Sequence, residues 1–168
     1  MVNTFNIDYI VKNKKVIFFD FDDTLCVHLR LMLNDDTHRV WQGAMFEQRK
    51  DFYLNSESHV APKQMVSFVR KVKDAGITCY CLTWSSDNRV IVPKSEFLKC
   101  NYGERVENLY VAGSREYKLK LVTEYCKHYD VSLDEVLLVD DHPDTLNEFR
   151  KAGIECISPI AILSCYED

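Results

Sequence analysis

The sequence predicts an α/β fold: a mainly parallel sheet with helices on both faces and a small helical insertion after the first strand. Three observations predict it. Apolar runs of strand length alternate with amphipathic segments of helical length. Two of the runs, "VIFF" and "VLLV", are apolar without alternation, as strands buried on both faces are. Two of the helical segments, 62–74 and 143–152, carry basic residues on their polar face or in their last turn and are followed by glycine, the usual way a helix ends in such a unit.

The first strand spans 16–20 and runs into Asp20-Phe21-Asp22-Asp23-Thr24. Residues 27–60 are too many for a strand-to-helix loop, which normally has two to six residues. They read as a small insertion holding a short helix over 37–49, with Val40, Trp41, Ala44 and Met45 on one side. A helix follows over 62–74, with Met65, Phe68, Val69 and Val72 on one face and Gly76 past its end. The second strand spans 77–83 and ends in Thr83, and the third spans 108–112. The helix over 116–129 sets Leu121, Val122, Tyr125, Cys126 and Tyr129 at helical spacing. The fourth strand, 135–140, ends in Asp140-Asp141. A helix over 143–152 carries Leu146 and Phe149 inward and has Arg150 and Lys151 in its last turn. A weaker apolar run over 154–157 closes the series.

With 168 residues the chain is expected to form a single domain, 1–168, with 27–60 as its insertion. The formal net charge of −5 argues against a broad basic surface, so nucleic acid is not an expected partner. The seven cysteines form no CxxC pair, and no zinc-ligand spacing is present. No apolar run is long enough to span a bilayer and the amino terminus has no signal pattern, so a cytoplasmic protein with free thiols is expected.

In an open parallel sheet the carboxyl ends of the strands form the ligand crevice. Here those ends deliver Asp20, Asp22 and Asp23, then Thr83, then Asp140 and Asp141, with Lys118 entering from the helix after the third strand. "FFDFDDTL", "CYCLTWS", "SREYKLKLV" and "VLLVDDHPD" occur in that order. The set resembles the four motifs of the haloacid dehalogenase (HAD) superfamily, most of whose members are phosphatases. The first and fourth motifs are specific; the second and third are weak alone.

The resemblance implies a three-layer, Rossmann-like domain with a minimal cap over 27–60. It implies a Mg²⁺-dependent phosphohydrolase working through an aspartyl-phosphate. Asp20 would be the nucleophile. Asp22 would protonate the leaving group and later activate water. Thr83 and Lys118 would bind the phosphoryl oxygens, and Trp84 would wall the substrate pocket. The metal would be held by Asp20, the Asp22 carbonyl and an acid of the fourth motif, with Asp141 preferred and Asp140 a ligand or its supporting partner. Lys120 competes with Lys118. Asp23 reads as a turn or solvent residue, Asp144 as a first-turn helix acid, and Cys26 lacks a base partner. His28, Arg30 and Arg39 of the insertion could reach a substrate. That substrate is a small-molecule or macromolecular phosphoester, no membrane partner is expected, and a homo-oligomer is compatible with the sequence. Two other classes compete: a phospho-acceptor signalling module, disfavoured because its paired acids precede its acceptor, and a non-catalytic binding or regulatory protein of the same fold.

Overall fold

The structure is a computed structural model that describes residues 5–28, 59–85 and 88–164. The chain enters through α1 (Ile7–Asn13), whose first turn is capped by the Asn6 side chain accepting from Tyr9 N at 3.1 Å. Then come β1 (Val16–Phe19), the two-residue strands β2 (Val27–His28) and β3 (His59–Val60), and α2 (Lys63–Asp74). The rest alternates: β4 (Thr78–Trp84), α3 (Ile91–Tyr102), β5 (Leu109–Ala112), α4 (Arg115–Tyr129), β6 (Val136–Val139), α5 (Pro143–Lys151), β7 (Glu155–Ile157) and α6 (Pro159–Leu163).

Five strands form one sheet in the order β5-β4-β1-β6-β7, and every pairing is parallel. The expected α/β class is observed, with each expected strand within a residue or two of its expected ends. Continuous apolarity in β1 and β6 has the expected cause, burial on both faces. Ile17 and Phe19 point to a layer with Met65, Phe68, Val69 and Val72 of α2 and Leu98 and Tyr102 of α3. Val16 and Phe18 point the other way, to Val122 and Cys126 of α4 and Leu146 and Phe149 of α5. Each such side chain contributes roughly 1.5–3 kcal/mol when fully buried.

Three helices and the short strands β2 and β3 were not anticipated. α1 and α6 are short, seven and five residues. α3 is a full helix, but its buried positions are Lys94, Leu98 and Tyr102. A stripe whose first member is a lysine gives no apolar period to read.

The sheet reverses direction at β1: the chain steps outward through β4 and β5, then returns to the other side for β6 and β7. Ligands bind at the carboxyl ends beside such a switch point. The described ends of the segment expected to be an insertion pair as an antiparallel ribbon, Val27 opposite Val60 and His28 opposite His59. The expected helix over 37–49, Arg30 and Arg39 lie outside the described residues.

Candidate active site

Register brings the acids together. Phe19 is level with Val139 of β6, so Asp20 and Asp140 leave adjacent strands side by side. The Asp20 N–H donates to the Val139 carbonyl at 2.8 Å, which carries the ladder to the edge of the site. Carboxylate oxygens of Asp20, Asp140 and Asp141 lie within 4.8 Å of one another.

Beyond Asp20 the chain turns sharply. Asp23 has φ +55, a left-handed conformation in which an aspartate is tolerated better than most residues. Its N–H donates to the Cys26 carbonyl, and the Cys26 N–H donates back to the Phe21 carbonyl, both at 2.9 Å. Phe21, Thr24 and Leu25 are fully buried, and the Tyr102 hydroxyl of α3 donates to the Leu25 carbonyl at 2.7 Å. The acid-bearing loop is therefore anchored in the core on both sides of its turn.

Two buried lysines meet these acids. Lys118, in the first turn of α4, is 4% exposed; its Nζ lies 2.8 Å from Asp20 Oδ1 and 2.9 Å from Asp140 Oδ2. Burial works against its charge, and Asp20 and Asp140 outweigh burial, so its pKa is raised. Asp140 is fully buried, and its other oxygen accepts from the His142 N–H at 2.9 Å. Lys120 is exposed and pairs with Glu124.

The second lysine is Lys94 of α3, which the sequence reading missed. It is 2% exposed, and its Nζ donates to Asp22 Oδ2 at 2.7 Å and to Thr83 Oγ1 at 2.8 Å. It also sits 4.8 Å from the centre of the Phe21 ring. The only signal available in the sequence was a lysine at i, i+4 and i+8 register with Leu98 and Tyr102.

The remaining acids carry the mark of crowding. Burial, then Asp20 and Asp140, push the Asp141 carboxyl up to about 8. Burial, then Asp22 and Asp20, push Asp23 up to about 7. For Asp20 burial is the largest influence and raises it to about 6; Lys118 pulls it back, while Asp140 and Asp22 add to the rise. Asp23 is a turn residue, as expected, but its carboxyl shares the field of the cluster. The donors are hard oxygens close enough to share one ion, and their mutual repulsion is what a divalent cation relieves, so these residues fit Mg²⁺.

Trp84 lies at the end of β4, 43% exposed, with its ring pinned by Nε1 donating to the Gly113 carbonyl at 3.1 Å. Asp144 is exposed in the first turn of α5, with Arg115 at 3.5 Å. Cys26 is buried, and burial raises its thiol pKa, so it is a poor thiolate source. The described cysteines are all free thiols. No described helix is long and apolar enough to cross a membrane.

No protein-family model matches the chain, and no curated protein sequence matches it. Solved structures do match. One is a Bacteroides fragilis protein described as a haloacid dehalogenase-like hydrolase, with a TM-score of 0.57 and 12% identity over 85% of this chain and 86% of that one. A second is 3-deoxy-D-manno-octulosonate 8-phosphate phosphatase from Moraxella catarrhalis, in complex with magnesium, phosphate and KDO. Its TM-score is 0.54 and its identity 18%, over 90% of this chain and 71% of that one. A third is CbbY from Rhodobacter sphaeroides with phosphate, at a TM-score of 0.60 and 13% identity over 86% and 85% of the two chains. The chain thus has the fold of the haloacid dehalogenase-like hydrolases.

Proposed function

We propose that the protein is a phosphohydrolase that cleaves phosphate monoesters through an aspartyl-phosphate on Asp20. The observation that carries this reading is the contact set of Asp20. A buried carboxylate is held by Lys118 at 2.8 Å, at the switch point of the sheet, beside a second carboxylate, Asp22, two residues on. Likeness of fold to phosphatases, one of them in complex with magnesium and phosphate, supports it.

Asp20 attacks phosphorus in line with the ester oxygen, which leaves as the alcohol. Asp22 gives that oxygen its proton and then takes one from the water that hydrolyses the acyl phosphate. Lys118 holds the Asp20 carboxylate in position and offers charge to the phosphoryl oxygens, and the Thr83 hydroxyl donates to them. Mg²⁺ would be held by Asp20, Asp141 and the Asp22 carbonyl, and would neutralise charge on the phosphoryl group. Asp140, with one oxygen on Lys118 and the other on the His142 N–H, suits a supporting role beside Asp141. Residues 27–60 would form a small cap, whose two ends meet in the β2–β3 ribbon right after the Asp22 loop. Trp84 would border the substrate.

The test is turnover of p-nitrophenyl phosphate with Mg²⁺, with and without excess chelator. Asp20→Asn is expected to abolish turnover at an unchanged circular dichroism spectrum, and Asp22→Asn to slow kcat by about two to four orders of magnitude, because hydrolysis of the acyl phosphate loses its base. Near-normal activity in Asp20→Asn protein would refute the mechanism.

A further inference from the structure

Lys94 is an expensive choice for the inside of a helix face. Burying an ammonium costs several kcal/mol unless it is paired and hydrogen-bonded. The positions one and two turns further along the same face are Leu98 and Tyr102, so an apolar side chain would continue the stripe at no such cost. What the lysine gains is at its tip. Its Nζ joins the two loops of the site, touching Asp22 Oδ2 and the Phe21 ring after β1 and Thr83 Oγ1 on β4.

Both hydrogen bonds have a consequence for the partner. A hydroxyl that accepts from an ammonium must point its own hydrogen elsewhere. The Thr83 hydroxyl makes a long 3.5 Å contact with the Trp84 carbonyl, too long to hold that hydrogen firmly. Thr83 is thereby set up as a donor to an incoming oxyanion. A carboxylate tied through Oδ2 is held in one rotamer.

We propose that Lys94 is a positioning residue that orients Asp22 for proton transfer to the leaving oxygen and Thr83 for donation to the phosphoryl group. This rests on the phosphohydrolase reading above. Its signature lies in the leaving group. An alkoxide must be protonated as it departs, whereas p-nitrophenolate leaves unaided. Loss of Asp22 alignment therefore penalises alkyl esters selectively, while loss of Thr83 alignment penalises both. A lysine that merely fastened α3 to the sheet would give no such selectivity.

The experiment compares Lys94→Met, of similar length and apolar, with the unaltered protein. kcat/KM is measured for a primary alkyl phosphate and for p-nitrophenyl phosphate in Mg²⁺, because that ratio reports the steps through phosphoenzyme formation. Lys94→Met is expected to lose about a hundredfold more on the alkyl ester than on the aryl ester, the lower end of what a general acid supplies. Lys94→Arg keeps the charge but not the geometry of both contacts. It is expected to lose in the same sense, and it serves if the methionine variant does not fold. Vanadate, followed by the rise it causes in melting temperature with Mg²⁺ present, gives a readout without turnover and is expected to bind at least several-fold more weakly to either variant. Turnover by the unaltered protein with an unchanged alkyl-to-aryl ratio in the variants would overturn this inference alone. Absence of both turnover and vanadate binding in the unaltered protein would overturn the phosphohydrolase reading and this inference together.

Discussion

The two ends of the sheet both bury a lysine, and they do it differently. At the amino end Lys14 is 6% exposed; its Nζ lies 2.7 Å from Glu155 and 2.6 Å from the Asp134 carbonyl oxygen. One cation meets one anion, and that anion is a third exposed. At the carboxyl end Lys94 and Lys118 face Asp20, Asp22, Asp23, Asp140 and Asp141, so the described acids outnumber the described ammoniums. The balanced end carries a polar groove of about 390 Å³ bordered by Tyr9, Asn13, Lys14, Asp134, Arg150 and Glu155. A groove at one end thus contrasts with surplus charge at the other. The charge is the better guide, because a balanced pair is at rest, whereas surplus buried carboxylates are relieved only by a further cation or by a proton.

The largest effect should come from unbalancing the crowded end further. Lys118→Met leaves Asp20 and Asp140 buried without their cation, and breaking a buried pair from one side costs about 3–5 kcal/mol. Urea denaturation in chelator at pH 9, above the values of about 6, 7 and 8 to which Asp20, Asp23 and Asp141 are raised, measures it. A loss no greater than that caused by the same change at Lys14 would break the comparison.

Restoring balance at that end is the next test. Mg²⁺ bound to the folded form alone adds about 2.7 kcal/mol at one hundred times its dissociation constant. Without metal, pH does part of the same work. An acid whose pKa is raised on folding destabilises the fold above that pKa and returns the stability as it protonates. Asp141, Asp23 and Asp20, raised to about 8, 7 and 6, bind protons in the folded chain while the unfolded carboxyls, with an ordinary value of 3.8, do not. The metal-free protein should therefore melt at rising temperature as pH falls from about 8 to 5, and saturating Mg²⁺ should flatten that slope. A metal-free melting temperature that falls steadily over this range would contradict the crowding.

How much of this was legible beforehand follows from what each residue does locally. Asp20, Thr83 and Asp140 end strands whose apolar runs are self-evident, and parallel register then aligns them, so strand ends alone sufficed to group them. Lys118 was readable because it lies in the first turn of a helix with an apolar stripe. Lys94 was hidden because it takes an apolar position in its own helix, so only a three-dimensional contact 72 residues away, with Asp22, gives it meaning. The choice between Asp140 and Asp141 was equally closed to sequence. Their difference is that the fully buried Asp140 is engaged by Lys118 and the His142 N–H, while Asp141 stays partly exposed.

The smallest effect sharpens the contrast from the quiet end. Lys14→Met removes the cation but keeps most of the buried stem. Glu155, a third exposed, can return to water, so the loss falls mainly on the Asp134 carbonyl, and an unsatisfied buried acceptor costs about 1–3 kcal/mol. The value should lie toward the lower end, because the neighbouring groove is polar and gives water access to that carbonyl. Six residues of extended chain, about 20 Å, separate Lys14 from Asp20, beyond the range at which substitutions usually interact. Lys14→Met should therefore lower the urea midpoint at constant slope and leave Mg²⁺ affinity, the pH slope and turnover unchanged. Combined with Lys118→Met, its cost should add to within about 0.5 kcal/mol. A change in Mg²⁺ affinity, or a clear departure from additivity, would mean that the two ends of the sheet are coupled and that the balanced pair is part of the site.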